Sequence, residues 1–186
     1  MEEQILLALR EHVDGKRLKH IKGVVAMAEK LAKIHSPEQI TEATVAALFH
    51  DLARAWPENK LRLYITSQKL SLDQGIEEYA QLLHGYVAAD IAQRDFNIEN
   101  GEILEAITYH TTGKPGMCSL AKIIFLADML EEGRNFPGIE GLRDLAYKNL
   151  DTAMLACLNH VILYLIEEGK KIHPLVLETR NSLLRE

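Results

Sequence analysis

The sequence is poor in cysteine. Its 186 residues hold two, Cys118 and Cys157, and neither belongs to a Cys-x-x-Cys pair. A disulfide scaffold and a thiolate zinc site are both excluded on that count. Proline and glycine are sparse, at five and 11, and no low-complexity tract or repeat interrupts the chain. Basic charge is in deficit: 21 Lys and Arg against 27 Asp and Glu leave a net charge of −6. A nonspecific nucleic-acid binder needs a basic face to displace counterions, so no nucleic-acid partner is expected. Long apolar runs are missing as well. The longest lies near 160–166, beside His160, and reads as far short of a membrane span. Met1–Arg10 carries two early glutamates and no apolar core of the signal-peptide kind. A soluble protein of a reducing cytoplasm, without a membrane partner, is the expectation. Strand-like alternation between turn signals is absent too.

What is present is helical periodicity in a composition that is 47% hydrophobic and 26% charged, enough to bury a real core. Between Leu18 and His35 the residues Ile21, Val24, Val25, Ala28, Leu31 and Ala32 recur at three- and four-residue steps, an amphipathic stripe. Ser36-Pro37 ends that helix. Thr41 is placed to cap the next, with a body from Thr44 to Leu52, and Pro57 opens a third that runs to about Lys69. Ser71–Gln74 reads as a loop. Further helices are predicted over 79–94, 100–111, 118–132, 139–147 and 150–168, with a short last one from Leu175. The fold class is therefore all-α, a single helical-bundle domain spanning 1–186. Two Gly/Pro breaks interrupt it, Thr111-Thr112-Gly113-Lys114-Pro115-Gly116 and Gly133-Arg134-Asn135-Phe136-Pro137-Gly138, each with one basic residue inside.

The chemistry resides in the histidines and aspartates. Phe49-His50-Asp51 closes the apolar run Val45-Ala46-Ala47-Leu48, where a polar pair is costly unless satisfied. His110 ends Ile107-Thr108-Tyr109, and Asp128 ends Ile123–Ala127. Three apolar helices thus carry polar groups near their C-terminal ends, which can meet at one pole of a bundle. His20, in Arg17-Leu18-Lys19-His20, and His84, in Leu82-Leu83-His84-Gly85, complete the set. Singly, each has an ordinary explanation: a solvated helix residue, a histidine bonded to a carbonyl, an aspartate in a cap or salt bridge. Jointly, imidazole and carboxylate donors suit a divalent metal such as iron, manganese or zinc. His12 and His35 read as solvated, His160 as a core or interface residue, and His173 as a turn residue before Pro174.

The order His…His-Asp…His…His…Asp resembles the HD-domain superfamily of metal-dependent phosphohydrolases. It is most similar to the YqeK-type family, the symmetrical bis(5′-nucleosyl)-tetraphosphatases. The likeness runs through RLKHIKGV, AALFHDLAR, LLHGYVAADIA, AITYHTTGKPGM and LAKIIFLADMLEEGRNFPGIEGLRDLA. HTTGKPGM and ADMLEEGRNFPG are its most specific pieces. One departure is Ile21, where the family often has threonine after the first histidine.

The resemblance implies a metal held by His20, His50, Asp51 and Asp128. His84 and His110 either help form the nucleotide-phosphate site or hold a second metal bridged by Asp51. Iron is the first choice of metal, with manganese, cobalt or zinc as alternatives. The implied reaction is symmetrical hydrolysis of diadenosine tetraphosphate to two ADP by metal-activated water, and the implied partners are a dinucleoside polyphosphate or ADP. Asp51, Arg54 and Lys114 are the expected catalytic groups. Arg17, His20, Asp51, Arg54, His84, His110, Gly113, Lys114, Arg134 and Pro137 are the expected substrate contacts, with Lys19 a weaker candidate. The rival readings are an HD phosphohydrolase for nucleoside monophosphates or a guanosine alarmone, a nucleotide-sensing module without turnover, and a helical protein–protein module. A homodimer is expected from the apolar last helices.

Overall fold

The computed structural model describes residues 15–184. Nine α-helices form among the described residues: α1 (Gly15–His35), α2 (Ile40–Phe49), α3 (Glu58–Gln68), α4 (Leu83–Phe96), α5 (Gly101–Tyr109), α6 (Ser119–Leu130), α7 (Ile139–Lys148), α8 (Leu150–Glu167) and α9 (Pro174–Ser182). No strand forms among them, as the missing alternation predicts.

The most apolar helices are the innermost. Ser119–Leu130 has almost no polar side, and its Leu120, Ala121, Ile123, Ile124, Phe125, Leu126, Ala127 and Leu130 are all buried. A helix hydrophobic all round has to be surrounded, and α1, α5 and α8 surround it. The α2 helix is buried in the same way through Ala43 and Val45–Phe49, against α1. The stripe Ile21, Val24, Ala28, Leu31, Ala32 of α1 is fully buried. Ile21 therefore packs inward, and no polar group is wanted at that position.

Three boundaries differ from expectation. Thr41 is not a cap: a 3-10 turn at Pro37–Gln39 leads directly into α2, and Thr41 lies exposed within it. The same helix ends at Phe49 rather than Leu52. Its next residues form overlapping tight turns, Leu52 N donating to Phe49 O and Arg54 N to Asp51 O, so Arg54 is not one regular helical turn past Asp51. The helix expected over 79–94 starts at Leu83, because Tyr79 is non-helical (φ −120°, ψ 80°) and separates two short 3-10 turns. The run near 160–166 belongs to α8, which by length and composition alone is long enough to cross a bilayer. Here Ala153, Met154, Cys157 and Leu158 of α8 are buried, while Leu163, Tyr164 and Ile166 stay exposed.

Candidate metal centre

Five segments deliver six ligand-type side chains to one place. His50 is the C-cap of α2 with Asp51 after it, His110 is the C-cap of α5, and Asp128 sits in the last turn of α6. His84 lies in the first turn of α4 and His20 in the first half of α1. Close approach of α4 to α5 depends on Gly85, where a Cβ would stand 2.6 Å from the Thr108 carbonyl. That contact brings His84 Nε2 within 3.0 Å of His110 Nε2.

The ligand atoms fall into two trios, His20–His50–Asp128 and Asp51–His84–His110, within each of which all atoms lie less than 4.8 Å apart. Asp51 joins them. Its Oδ2 is 3.5 Å from His50 Nε2 and 3.6 Å from His20 Nε2, while its Oδ1 is 3.2 Å from His84 Nε2 and 3.8 Å from His110 Nε2.

The imidazoles are pre-set for coordination. Nδ1 of His50, His84 and His110 lies 2.7–2.8 Å from the carbonyls of Ala47, Gln81 and Ile107. A carbonyl only accepts, so each Nδ1 carries the proton and each Nε2 of a neutral ring presents a lone pair. Nε2 of His84 and His110 then face each other with nothing to donate. Nε2 of His20 and His50 are buried without a hydrogen-bond partner; His20 Nε2 is 3.0 Å from Asp128 Oδ1 but out of bonding alignment. Unpaired inward lone pairs beside two carboxylates are what a divalent transition metal satisfies.

The electrostatics agree. Burial opposes the charge on Asp51, yet His50 first, then His84 and His110, hold its pKa far below the carboxylate range. Asp128 is depressed in the same way, against burial, by His20, His50, His110 and Arg134. Burial also lowers His50, but Asp51 and Asp128 outweigh it and raise its pKa; the field that favours a proton there favours any cation. His110 is pushed down to about 3, by burial foremost and then by His84 and His50, so it is neutral and able to coordinate at neutral pH.

A cavity of about 210 Å³ opens on the cluster, lined by Asp51, His84, His110 and Asp128 together with Arg17, Arg54 and Arg134. Arg17 Nη1 lies 2.6 Å from Asp51 Oδ2, and Arg134 Nη2 lies 2.7 Å from Asp128 Oδ1. A second cavity of about 410 Å³ adjoins it through His110, Asp128 and Arg134 and is walled by Phe125, Met129, Phe136, His160 and Tyr164.

Some expected residues are not brought here. Lys114 lies 2.7 Å from Glu105 and 5.0 Å above the Tyr109 ring, and it lines a different surface cavity between α4 and α5. Glu105 also accepts from Cys118 N, so the lysine belongs to the start of α6. Gly113 (φ +63°) faces α9, where a Cβ would stand 2.7 Å from Thr179 Cγ2. Pro137 and Lys19 are exposed and line neither cavity at the cluster. His160, expected to stand apart, stacks on Phe136 at 4.5 Å and lines the larger cavity. His35, expected to be solvated, donates to Ala146 O at 2.7 Å. His173 is buried and caps α9, and His12 lies outside the described residues.

Reading the sequence alone missed Glu131 and Phe136. Glu131 is buried and lies 3.1 Å from His20 Nδ1. Its place three residues after Asp128, one helical turn on, is the signal that points to it.

The HD domain model matches residues 17–133, a span containing both trios and Glu131, and the chain belongs to that family. It is 38% identical over 181 residues to the symmetrical bis(5′-nucleosyl)-tetraphosphatase of Halalkalibacterium halodurans, covering 97% of this chain and 96% of that one. It is 31% identical over 182 residues to the enzyme of the same name from Bacillus subtilis, covering 98% and 97%. A crystal structure from Clostridium acetobutylicum, described as a predicted HD superfamily hydrolase involved in NAD metabolism, superposes with a TM-score of 0.94 at 34% identity, over 100% of this chain and 97% of that one. Within the HD family the chain groups with the YqeK-type symmetrical tetraphosphatases.

Proposed function

We propose that this protein hydrolyses diadenosine tetraphosphate symmetrically, giving two ADP. The observation that carries the reading is the double trio hinged on Asp51 at the floor of an arginine-lined cavity. His20, His50 and Asp128 would hold one divalent metal, and His84 and His110 with Asp51 a second; His20 and His50 lie towards Asp51 Oδ2, His84 and His110 towards its Oδ1. Iron is the first choice, and manganese, cobalt or zinc suit the same donors. Bound there, the metal supplies Lewis acidity, which makes water acidic enough to attack at neutral pH and neutralises phosphoryl oxygens.

The chain's own residues do the rest. Arg17, Arg54 and Arg134 present guanidinium groups to a cavity suited to the polyphosphate, where fixed positive charge meets the charge that develops during transfer. Asp51 keeps its carboxylate in the centre and is ionised throughout the working pH range, so it can accept a hydrogen bond from the attacking water and orient it. The larger cavity, with Phe136 stacked on His160 and Tyr164 beside them, offers an aromatic wall on which one adenine can stack. Water adds to one of the two central phosphorus atoms, the central phosphoanhydride bond breaks, and the oxygen of that bond leaves on the other ADP. Exposed Leu163 and Ile166 on α8 support a homodimer, and two free cysteines fit a reducing cytoplasm.

Product analysis tests the reading. Diadenosine tetraphosphate should give ADP alone, and in water labelled with oxygen-18 the label should appear on a β-phosphate of one ADP and never on an α-phosphate. Primary AMP and ATP would mean that a different phosphorus is seated at the cluster. Phosphate release from nucleoside monophosphates would favour a monophosphatase, and metal and nucleotide binding without any product a sensor.

Two substitutions separate the cavities. His160→Ala removes a stacking partner, and KM should rise by about 5- to 150-fold, a stacking contact being worth ~1–3 kcal/mol per base. Its kcat and metal content should stay near wild type. Lys114→Ala breaks a half-exposed pair with Glu105 worth no more than ~1 kcal/mol and should leave the kinetics unchanged. A kinetic loss in Lys114→Ala equal to that in His160→Ala would put the substrate on the opposite side of α5.

A further inference from the structure

Three of the four histidines in the cluster are steadied by their own turns of chain: His50, His84 and His110 each place Nδ1 on a carbonyl three residues earlier. They can do so because His50 and His110 cap helix C-termini, where carbonyls are left unpaired, and Gln81 lies in the 3-10 turn that precedes α4. His20 cannot. It lies inside α1, where the preceding carbonyls are committed to helix hydrogen bonds. Its Nδ1 is met instead by a side chain 111 residues away, Glu131 Oε1 at 3.1 Å.

Several features keep that carboxylate in place. Its other oxygen accepts from Gly133 N at 2.5 Å. The backbone of its turn is held by Arg143, which donates to the carbonyls of Leu130 and Glu131. Gly23 lies one turn past His20 on the same face of α1, and a Cβ there would stand 2.4 Å from Glu131 Oε2. A Cβ at Gly133 would stand 2.9 Å from the same oxygen. Two glycines thus leave a slot that the carboxylate fills. Glu131 belongs to neither trio, because both of its oxygens are engaged on the far side of the imidazole.

We infer that Glu131 is the positioning residue for His20: its buried carboxylate fixes the Nδ1–H and turns Nε2 towards His50 and Asp128. This rests on the reading of His20–His50–Asp128 as a metal site. A carboxylate behind a ligating histidine orients the ring and strengthens it as a donor, and losing such a partner typically costs about 10–100-fold in metal affinity. Gly23 acts with it, as the residue whose missing side chain admits the carboxylate.

The test is cobalt(II) affinity of the full-length, metal-stripped protein, measured by competition with a chelator. Glu131→Gln keeps the shape but loses the charge and should weaken the binding by about 10-fold, and Glu131→Ala by up to about 100-fold. Gly23→Ala, with Glu131 intact, should weaken it comparably, yet add nothing further in the Glu131→Ala background, since both act through one contact. Metal-free Glu131→Gln should keep wild-type helical circular dichroism and cooperative unfolding, so that the lost cobalt affinity reads positioning of His20 rather than unfolding. Wild-type cobalt affinity in both Glu131 variants, alongside loss in His20→Ala, would overturn the inference and leave the metal site standing. A wild-type protein that binds no cobalt would remove both.

Discussion

Asp51→Asn is expected to lower turnover by about a thousand-fold or more, beyond the ~10²–10³ typical of losing one transition-state hydrogen-bond donor. The reason is its central place. Its two oxygens face four imidazoles and the Arg17 guanidinium, all within 3.8 Å. Asparagine keeps the volume but loses the charge and turns one oxygen into an NH2 that points a donor at the Arg17 guanidinium or at a bound cation. Metal content should fall in both trios together, whereas His84→Ala should affect the second trio more than the first. Stability should fall too. The folded-state pKa of Asp51 lies below its ordinary value, so its charge stabilises the fold above the unfolded pKa, and that contribution is lost as pH drops through the folded one. At neutral pH the metal-free variant should therefore melt below the metal-free wild type while still unfolding cooperatively. Turnover within tenfold of wild type, with metal retained, would rule out Asp51 as the bridge.

Removing the metal is expected to abolish hydrolysis and to lower the melting midpoint markedly. With free metal at a hundred times its dissociation constant, one bound ion adds ~2.7 kcal/mol to stability. For a chain of this length each kcal/mol moves the midpoint by ~2–4 °C, so each ion should contribute about 5–10 °C. The physical source is the pair of facing Nε2 atoms in His84 and His110 and the unpartnered Nε2 atoms of His20 and His50, which a cation satisfies and nothing else in the cluster does. Scanning calorimetry of stripped and reloaded protein, with elemental analysis at each step, reads both effects. A midpoint indifferent to loading would mean that these side chains hold no ion.

The fold was legible because its signal is local. Apolar residues at three- and four-residue steps, Gly/Pro punctuation and the absence of alternation are properties of neighbouring positions, and α1, α6 and α8 appear close to where the periodicity puts them. The boundaries that differ, at Thr41, Leu52 and Tyr79, are ones where proline or a run of tight turns governs the backbone rather than the periodic pattern.

The ligand-type residues were legible for a related reason. His50, His110 and Asp128 close apolar runs, and a polar group at the end of a buried helix has to be satisfied. Their order along the chain carried the resemblance, and the HD domain match over 17–133 agrees with it.

The partners of those groups were not legible. Lys114 and Arg134 occupy similar Gly/Pro breaks after similar helices, yet Glu105 takes the first away from the cluster while Asp128 draws the second onto it. His160 looked like any histidine of an apolar helix until Phe136, from a loop 24 residues earlier, stacked on it. Glu131 gains its place behind His20 only where α1 crosses it at Gly23. The sequence by itself determined the helices, the apolar stripes that bury them and the kinds of donor at their ends, all of which depend on spacing along one chain. Only the tertiary structure decided which charges meet, because an ion pair or a stacked ring acts over a few ångströms between segments whose separation in sequence carries no information about their distance in space.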